Sequence, residues 1–228
     1  MKKIILYLII ILSLSGFSQI PFYKLNPTVA YKTTVTMLDS CINTNYFKDS
    51  ALYYKGVVLL KNNKHAEAKK VCASLITAFP DFLDAHYLKG LIYFSEKSYI
   101  TAIDEFSIVI TKNRKHIKAL YNRSIAFGLI ENYKKAIEDL NECVSQKPMY
   151  SQAYYSRAYW QEYLGNQSEA IKDYENTINI DPKNYDAYFG LAYIYQGQKN
   201  KTKACEIIAN AIKSGSQIAE DLKENFCK

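Results

Sequence analysis

The chain has 228 residues, of which 49% are apolar and 22% charged, with 21 Tyr against a single Trp. That much apolar side chain supports a core and excludes a disordered chain. With 8 Gly and 5 Pro it has too few turn formers for an all-β protein, and glycine-loop nucleotide folds are disfavoured. The formal charge is +7, yet no run of five like charges occurs, which argues against a nucleic-acid partner or a polybasic membrane tail.

Met1-Lys2-Lys3 supplies a positive start, and Ile4 to Leu14 is apolar apart from Ser13. Gly16 and Ser18 are small residues at −3 and −1 of a cleavage before Gln19. This is the three-part layout of a secretory signal peptide over residues 1–18. The apolar stretch is shorter than the roughly 20 residues a bilayer span needs. Left uncleaved, residues 4–22, extended by Ile20 and Phe22, would anchor the chain in an inner membrane instead, the sole membrane contact expected. No Cys sits near the end of the apolar stretch, so no lipid-modified terminus is indicated. The expected location is the periplasm or outer surface of a Gram-negative-type bacterium, and the processed chain would carry +5, having lost two lysines and no acid.

Residues 19–48 form an N-terminal segment in which Pro27 to Thr44 reads as a capping helix, with Val29, Thr33, Thr36, Met37 and Cys41 on its inner side. From residue 49 the sequence repeats every 34 residues without a gap. Ala51, Ala85, Ala119, Ala153 and Ala187 form one column, and Ala68, Ala102, Ala136, Ala170 and Ala204 another. The eighth position holds Gly56, Gly90, Ser124, Ala158 and Ala192, all small. Pro80, Pro148 and Pro182 share a phase near each unit's end. Five units follow, at 49–82, 83–116, 117–150, 151–184 and 185–218, each with two amphipathic stretches of helical spacing around a short polar break such as Gly165-Asn166-Gln167. Small residues where two helices face let their backbones approach, and proline closes the second helix. One such pair cannot bury both apolar faces, so the units must stack. Residues 216–228 read as a closing helix, with Ile218, Ala219, Leu222 and Phe226 inward and Glu220, Asp221, Lys223 and Glu224 outward.

The period, the small eighth residue, Ala at twenty and Pro at thirty-two resemble the tetratricopeptide repeat (TPR), of the exported bacterial type. The fourth unit matches best: Ala153-Tyr154-Tyr155, Ala158, Gly165, Ala170-Ile171, Tyr174 and Ile180-Asp181-Pro182. The resemblance implies an all-α, right-handed superhelical solenoid of five helix pairs with capping helices at both ends.

Of five Cys, none lies in a C-x-x-C, which argues against a redox motif or zinc ribbon. Cys205 and Cys227 lie eleven residues either side of Ser216, so antiparallel helices joined there bring them level, in bridging range if both face the seam and two thiols otherwise. Exported TPR proteins that end with a similar cysteine pair support the disulfide. Cys41 with Cys72 is a second candidate pair, although their phases differ by nearly one helical turn. Cys143 replaces Leu, Val, Thr or Ala of other units and reads as a small core residue.

The resemblance puts the first helix of each pair on the inner wall of a groove. Position five there holds Tyr53, Tyr87, Tyr121, Tyr155 and Phe189, and position nine ends in Tyr159 and Tyr193, with Phe94, Asn122 and Tyr163 alongside. Tyrosine combines broad apolar contact with a hydroxyl at modest entropy cost, which suits recognition. Position five can equally pack between helices and show only an edge, whereas Tyr159, Tyr163 and Tyr193 are expected to be exposed in the groove. Of the residues a carboxylate-clamping TPR groove uses, Lys118 and Asn122 alone fall suitably, so that ligand class is not expected. Arg123 and Arg157 are followed sixteen residues later by Asp139 and Asp173, and Lys89 by Glu105, a spacing that suits ion pairs between facing helices. His65, His86 and His116 share no phase, and no hydrolase, zinc-protease or P-loop motif occurs, so neither metal, cofactor nor catalytic residue is expected. The expected function is a protein-interaction scaffold or adaptor holding a peptide or partner segment in the tyrosine-lined groove. Alternatives are an accessory subunit of an envelope assembly or secretion machine, docked by its convex face and end helices, and cell-wall glycan binding.

Overall fold

The computed structural model describes residues 27–45 and 47–227, with side chains from residue 31 on. The signal segment, the alternative anchor and the Val29 side chain lie outside the described residues. Twelve helices and no strand are found among them: α1 (Pro27–Asn43), α2 (Lys48–Lys61), α3 (His65–Ala78), α4 (Leu83–Ser95), α5 (Tyr99–Lys112), α6 (Ile117–Leu129), α7 (Tyr133–Gln146), α8 (Ser151–Tyr163), α9 (Gln167–Ile180), α10 (Tyr185–Gly197), α11 (Lys201–Lys213) and α12 (Gln217–Cys227). No described helix is long and apolar enough to cross a membrane. The chain divides into two compact units at Ile92/Tyr93, within α4.

In the first unit, Leu38 of α1 packs with Ala51 and Val58 of α2, flanked by Tyr31, Val35 and Ile42. The inner face of α1 is therefore Tyr31, Val35, Leu38 and Ile42, with the expected Met37 and Cys41 also packed against the cluster. Thr36, expected inward, is exposed, and its hydroxyl donates to Lys32 O at 3.0 Å. The apolar side chains at that phase win the seam because hydroxyls can be satisfied by the helix's own carbonyls. A second cluster joins Leu59, Ala68, Cys72 and Leu88. Cys41 and Cys72 remain separate thiols: Cys41 packs against the α1–α2 cluster, while Cys72 is buried and donates to Ala85 O at 3.4 Å.

In the second unit, Ala102, Ala119, Ala136, Ala153, Ala170, Ala187 and Ala204 are all 0% exposed. Methyl groups at these crossings let successive backbones close up without leaving voids. Tyr174, Leu191, Ile208 and Phe226 fill the core between the last pairs and α12. On α12, Ala219 and Phe226 are buried and Leu222 half-buried, whereas Ile218, expected inward, is exposed, about 100° off that seam. Cys205 and Cys227 are disulfide-bonded, with Cα atoms 4.9 Å apart, and fasten α12 to α11. Cys143 is fully buried in α7, and burial pushes its thiol up to about 12.

The turn inside each pair has one geometry. Asn63, Lys97, Glu131, Gly165 and Lys199, 34 residues apart, all have φ between 59° and 75°. The amide that follows each donates five residues back, as in Lys64 N to Leu59 O, Asn132 N to Phe127 O and Asn200 N to Tyr195 O, each 2.9 Å. This closing bond satisfies a helix-end carbonyl and reverses the chain in two residues. Asn132 and Asn200 then cap the next helix through their side chains.

Candidate functional site

The first helices of the second unit carry the expected aromatic stripe, and the structure sorts its members by exposure. Tyr159 and Tyr163 lie one turn apart on α8 and are 38% and 57% exposed; Tyr193 on α10 is 53% exposed. The Tyr159 and Tyr163 hydroxyls are 3.1 Å apart. That hydrogen bond, then partial burial, pushes the Tyr159 phenol up to about 12, so this hydroxyl keeps its proton and can both donate and accept.

Beneath these rings lies a layer that sequence reasoning missed. Trp160 is 7% exposed and meets Tyr159 edge-on with centroids 4.9 Å apart. Tyr133, at the start of α7, stacks on both Trp160 at 5.6 Å and Tyr163 at 5.1 Å. Trp160 Nε1 is a buried side-chain donor with no hydrogen-bond partner. The ring fits because Gly128 of α6 leaves space: a β-carbon there would lie 2.2 Å from Trp160 Cζ2. The visible signal was the lone tryptophan, 32 residues beyond a glycine in the preceding unit's first helix.

Position five is spent on packing. Tyr155 stacks on Tyr159 at 6.5 Å and leans on Tyr174 at 5.9 Å, and burial raises its phenol. Tyr174 donates to the Glu162 carboxylate. Burial raises Glu162 above the ordinary carboxylate range, and that hydrogen bond opposes the shift. Tyr121 is half-buried against Tyr150, its hydroxyl 3.3 Å from Ser156 Oγ. Phe189 packs against the terminal core, and Phe94 against Tyr99 at 5.5 Å. Asn122 turns back onto its own helix, donating to Lys118 O at 2.8 Å. Tyr193 meets the buried Phe226 of α12 at 5.0 Å, so the closing helix packs against this ring.

In the first unit Tyr53 is half-buried between Tyr54 and Phe82, its phenol raised by burial and then by Asp84. Tyr87, expected in the groove, is 7% exposed, so its ring is core rather than recognition surface. An aromatic at position five shows only what its neighbours leave uncovered, and at Tyr87 they leave almost nothing.

The arginines of the repeat are structural. Arg123 forks onto Asp139 at 2.8 and 2.7 Å and reaches Ser107 Oγ at 3.0 Å. Arg157 forks onto Asp173 at 2.6 and 2.7 Å and reaches Asn141 Oδ1 at 2.7 Å. Each guanidinium thus ties its own pair to the preceding helix. Among the described residues no group of three or more His, Cys, Asp or Glu side chains is placed to hold a metal ion.

Family models described as tetratricopeptide repeat match residues 53–116, 117–148 and 186–214, and one described as TPR repeat matches 163–199. No curated protein matches the chain. Among solved structures, a crystal structure of MamA is 21% identical with a TM-score of 0.67, covering 72% of this chain and 96% of that one. YrrB, described as a TPR protein with an unusual peptide-binding site, is 19% identical with a TM-score of 0.65, covering 82% and 97%. PilF of Pseudomonas aeruginosa is 14% identical with a TM-score of 0.68, covering 78% and 86%. With an all-helical repeat fold, buried alanine columns and family matches over most of its length, this chain is a tetratricopeptide repeat protein.

Proposed function

We propose that this chain is an exported protein-interaction scaffold that holds a peptide or partner segment against the tyrosine face of α8 and α10. The observation that carries this reading is the exposure of Tyr159, Tyr163 and Tyr193 on first helices whose position-five aromatics are largely taken up in packing. Large rings with hydroxyls at their rims offer apolar contact and hydrogen bonding together, at low entropy cost because the layer beneath is already packed. Peptide binding by YrrB, a TPR protein of similar fold, supports the ligand class. Export rests on the layout of residues 1–18, with support from the Cys205–Cys227 disulfide, a bond that persists in oxidising compartments.

Alanine at Tyr159, Tyr163 and Tyr193 tests the reading, because these side chains are open enough to remove without emptying the core. The variant keeps its far-UV helical signal and loses the partner co-purified by the parent chain. Full retention of that partner would reject the tyrosine face and favour an envelope subunit docked through other surfaces.

A further inference from the structure

A cleft of about 480 Å³ opens between α9 and α11. It is walled by second helices of the last two pairs, whereas the tyrosine face belongs to first helices. Its size lies within the usual range for small-ligand sites. Ile178 and Ile207 line opposite walls, and the buried Leu191 of α10 forms the floor. Tyr188, its hydroxyl 3.1 Å from Ser214 Oγ, lines it too. Four polar side chains ring this apolar base: Glu175 and Asn179 from α9, Asn210 and Lys213 from α11. None of the four has a side-chain hydrogen bond or ion-pair partner among the described residues.

The repeat fixes their order. Lys213 is the 34-residue counterpart of Asn179, so it stands four residues beyond the level of Glu175, about 6 Å along the helix axis. The walls α9 and α11 are both held by α10 rather than packed on each other, so this offset adds to the width of the cleft. A carboxylate and an ammonium thus face the cleft from opposite walls with an offset. A purely anionic ligand meets Glu175, and a purely cationic one meets Lys213. A ligand carrying both signs, separated by two or three residues at about 3.5 Å each, matches both. Asn179 and Asn210 each present a donor and an acceptor, the complement of a peptide bond. Ile178, Ile207 and Leu191 offer a seat for an apolar side chain.

We propose that this cleft binds a short zwitterionic peptide of two or three residues, with its ammonium on Glu175, its carboxylate on Lys213 and an apolar side chain on the floor. The site is independent of the tyrosine face. Titrating the full chain with alanyl-leucine and alanyl-leucyl-alanine by calorimetry tests it. The expected result is saturable binding, weakened about tenfold or more by N-acetylation, by C-amidation, by Glu175→Gln and by Lys213→Gln. Alanine at Tyr159, Tyr163 and Tyr193 leaves it unchanged. No saturation up to about 10 mM of either peptide, or equal binding of the doubly capped peptides, overturns the proposal. So does loss of binding in the tyrosine variant.

Discussion

The Trp160 indole lies directly over the backbone of Gly128, so that a β-carbon on that glycine would come within 2.2 Å of the ring. One residue in α6 therefore decides whether the aromatic layer under Tyr159 and Tyr163 can form. Gly128→Ala should gain about 1 kcal/mol in helix propensity and lose more through overpacking. A net destabilisation of about 1–2 kcal/mol is expected by denaturant titration, with a shifted emission from the single tryptophan.

The left-handed turn residues give a prediction of opposite sign. Lys97, Glu131 and Lys199 have φ of 61°, 62° and 60°, where a side chain costs energy that glycine avoids. Replacing each by Gly should stabilise the chain by about 0.5–1 kcal/mol, partly offset by the greater freedom of the unfolded chain. Gly165→Ala, at φ 75°, should destabilise by a similar amount, measured in the same titrations.

These two sites show what was legible in the sequence. The alanine columns announced the fold because a close helix crossing tolerates nothing larger, and that constraint leaves a periodic mark. The left-handed turn left none in composition: one of its five occupants is Gly, since the closing hydrogen bonds hold the geometry whatever the side chain. The tyrosine face was half legible. Tyr159, Tyr163 and Tyr193, read as the open members, stand open, but at position five the sequence left packing and exposure balanced, and neighbouring side chains bury Tyr87. The Trp160–Tyr133 layer joins residues from two repeats and follows no single column, so the period gave no cue to it.

Arg157 and Asp173 form a two-pronged ion pair in which the carboxylate is almost wholly buried. Asp173→Ala should cost about 2–4 kcal/mol, because the guanidinium is left half-buried without its counter-charge. Arg157→Lys keeps the charge and loses the fork, and should also destabilise, by about 1–2 kcal/mol. A double-mutant cycle with Asn141→Ala reports the separate tie to α7.

With Cys205 and Cys227 bonded, the unreduced, denatured chain should titrate three thiols, and the reduced chain five. In the folded state at pH 8, Cys143 should stay unreactive, as its thiol is pushed up to about 12 by burial. Cys205→Ser should lower stability by about 2–4 kcal/mol and loosen α12, which shows as faster amide exchange around Phe226 and Tyr193.

The recognition face is tested most directly by placing a photo-crosslinking amino acid at single positions in the native cell. Positions 159, 163 and 193 should give adducts to one common partner segment, mapped by mass spectrometry. Control positions 100 and 149, occupied by Ile100 on α5 and Met149 after α7, are at least as exposed but lie outside the first helices that carry the face and should give none to that segment. Adducts confined to the controls, or none from 159, 163 and 193, would contradict the account.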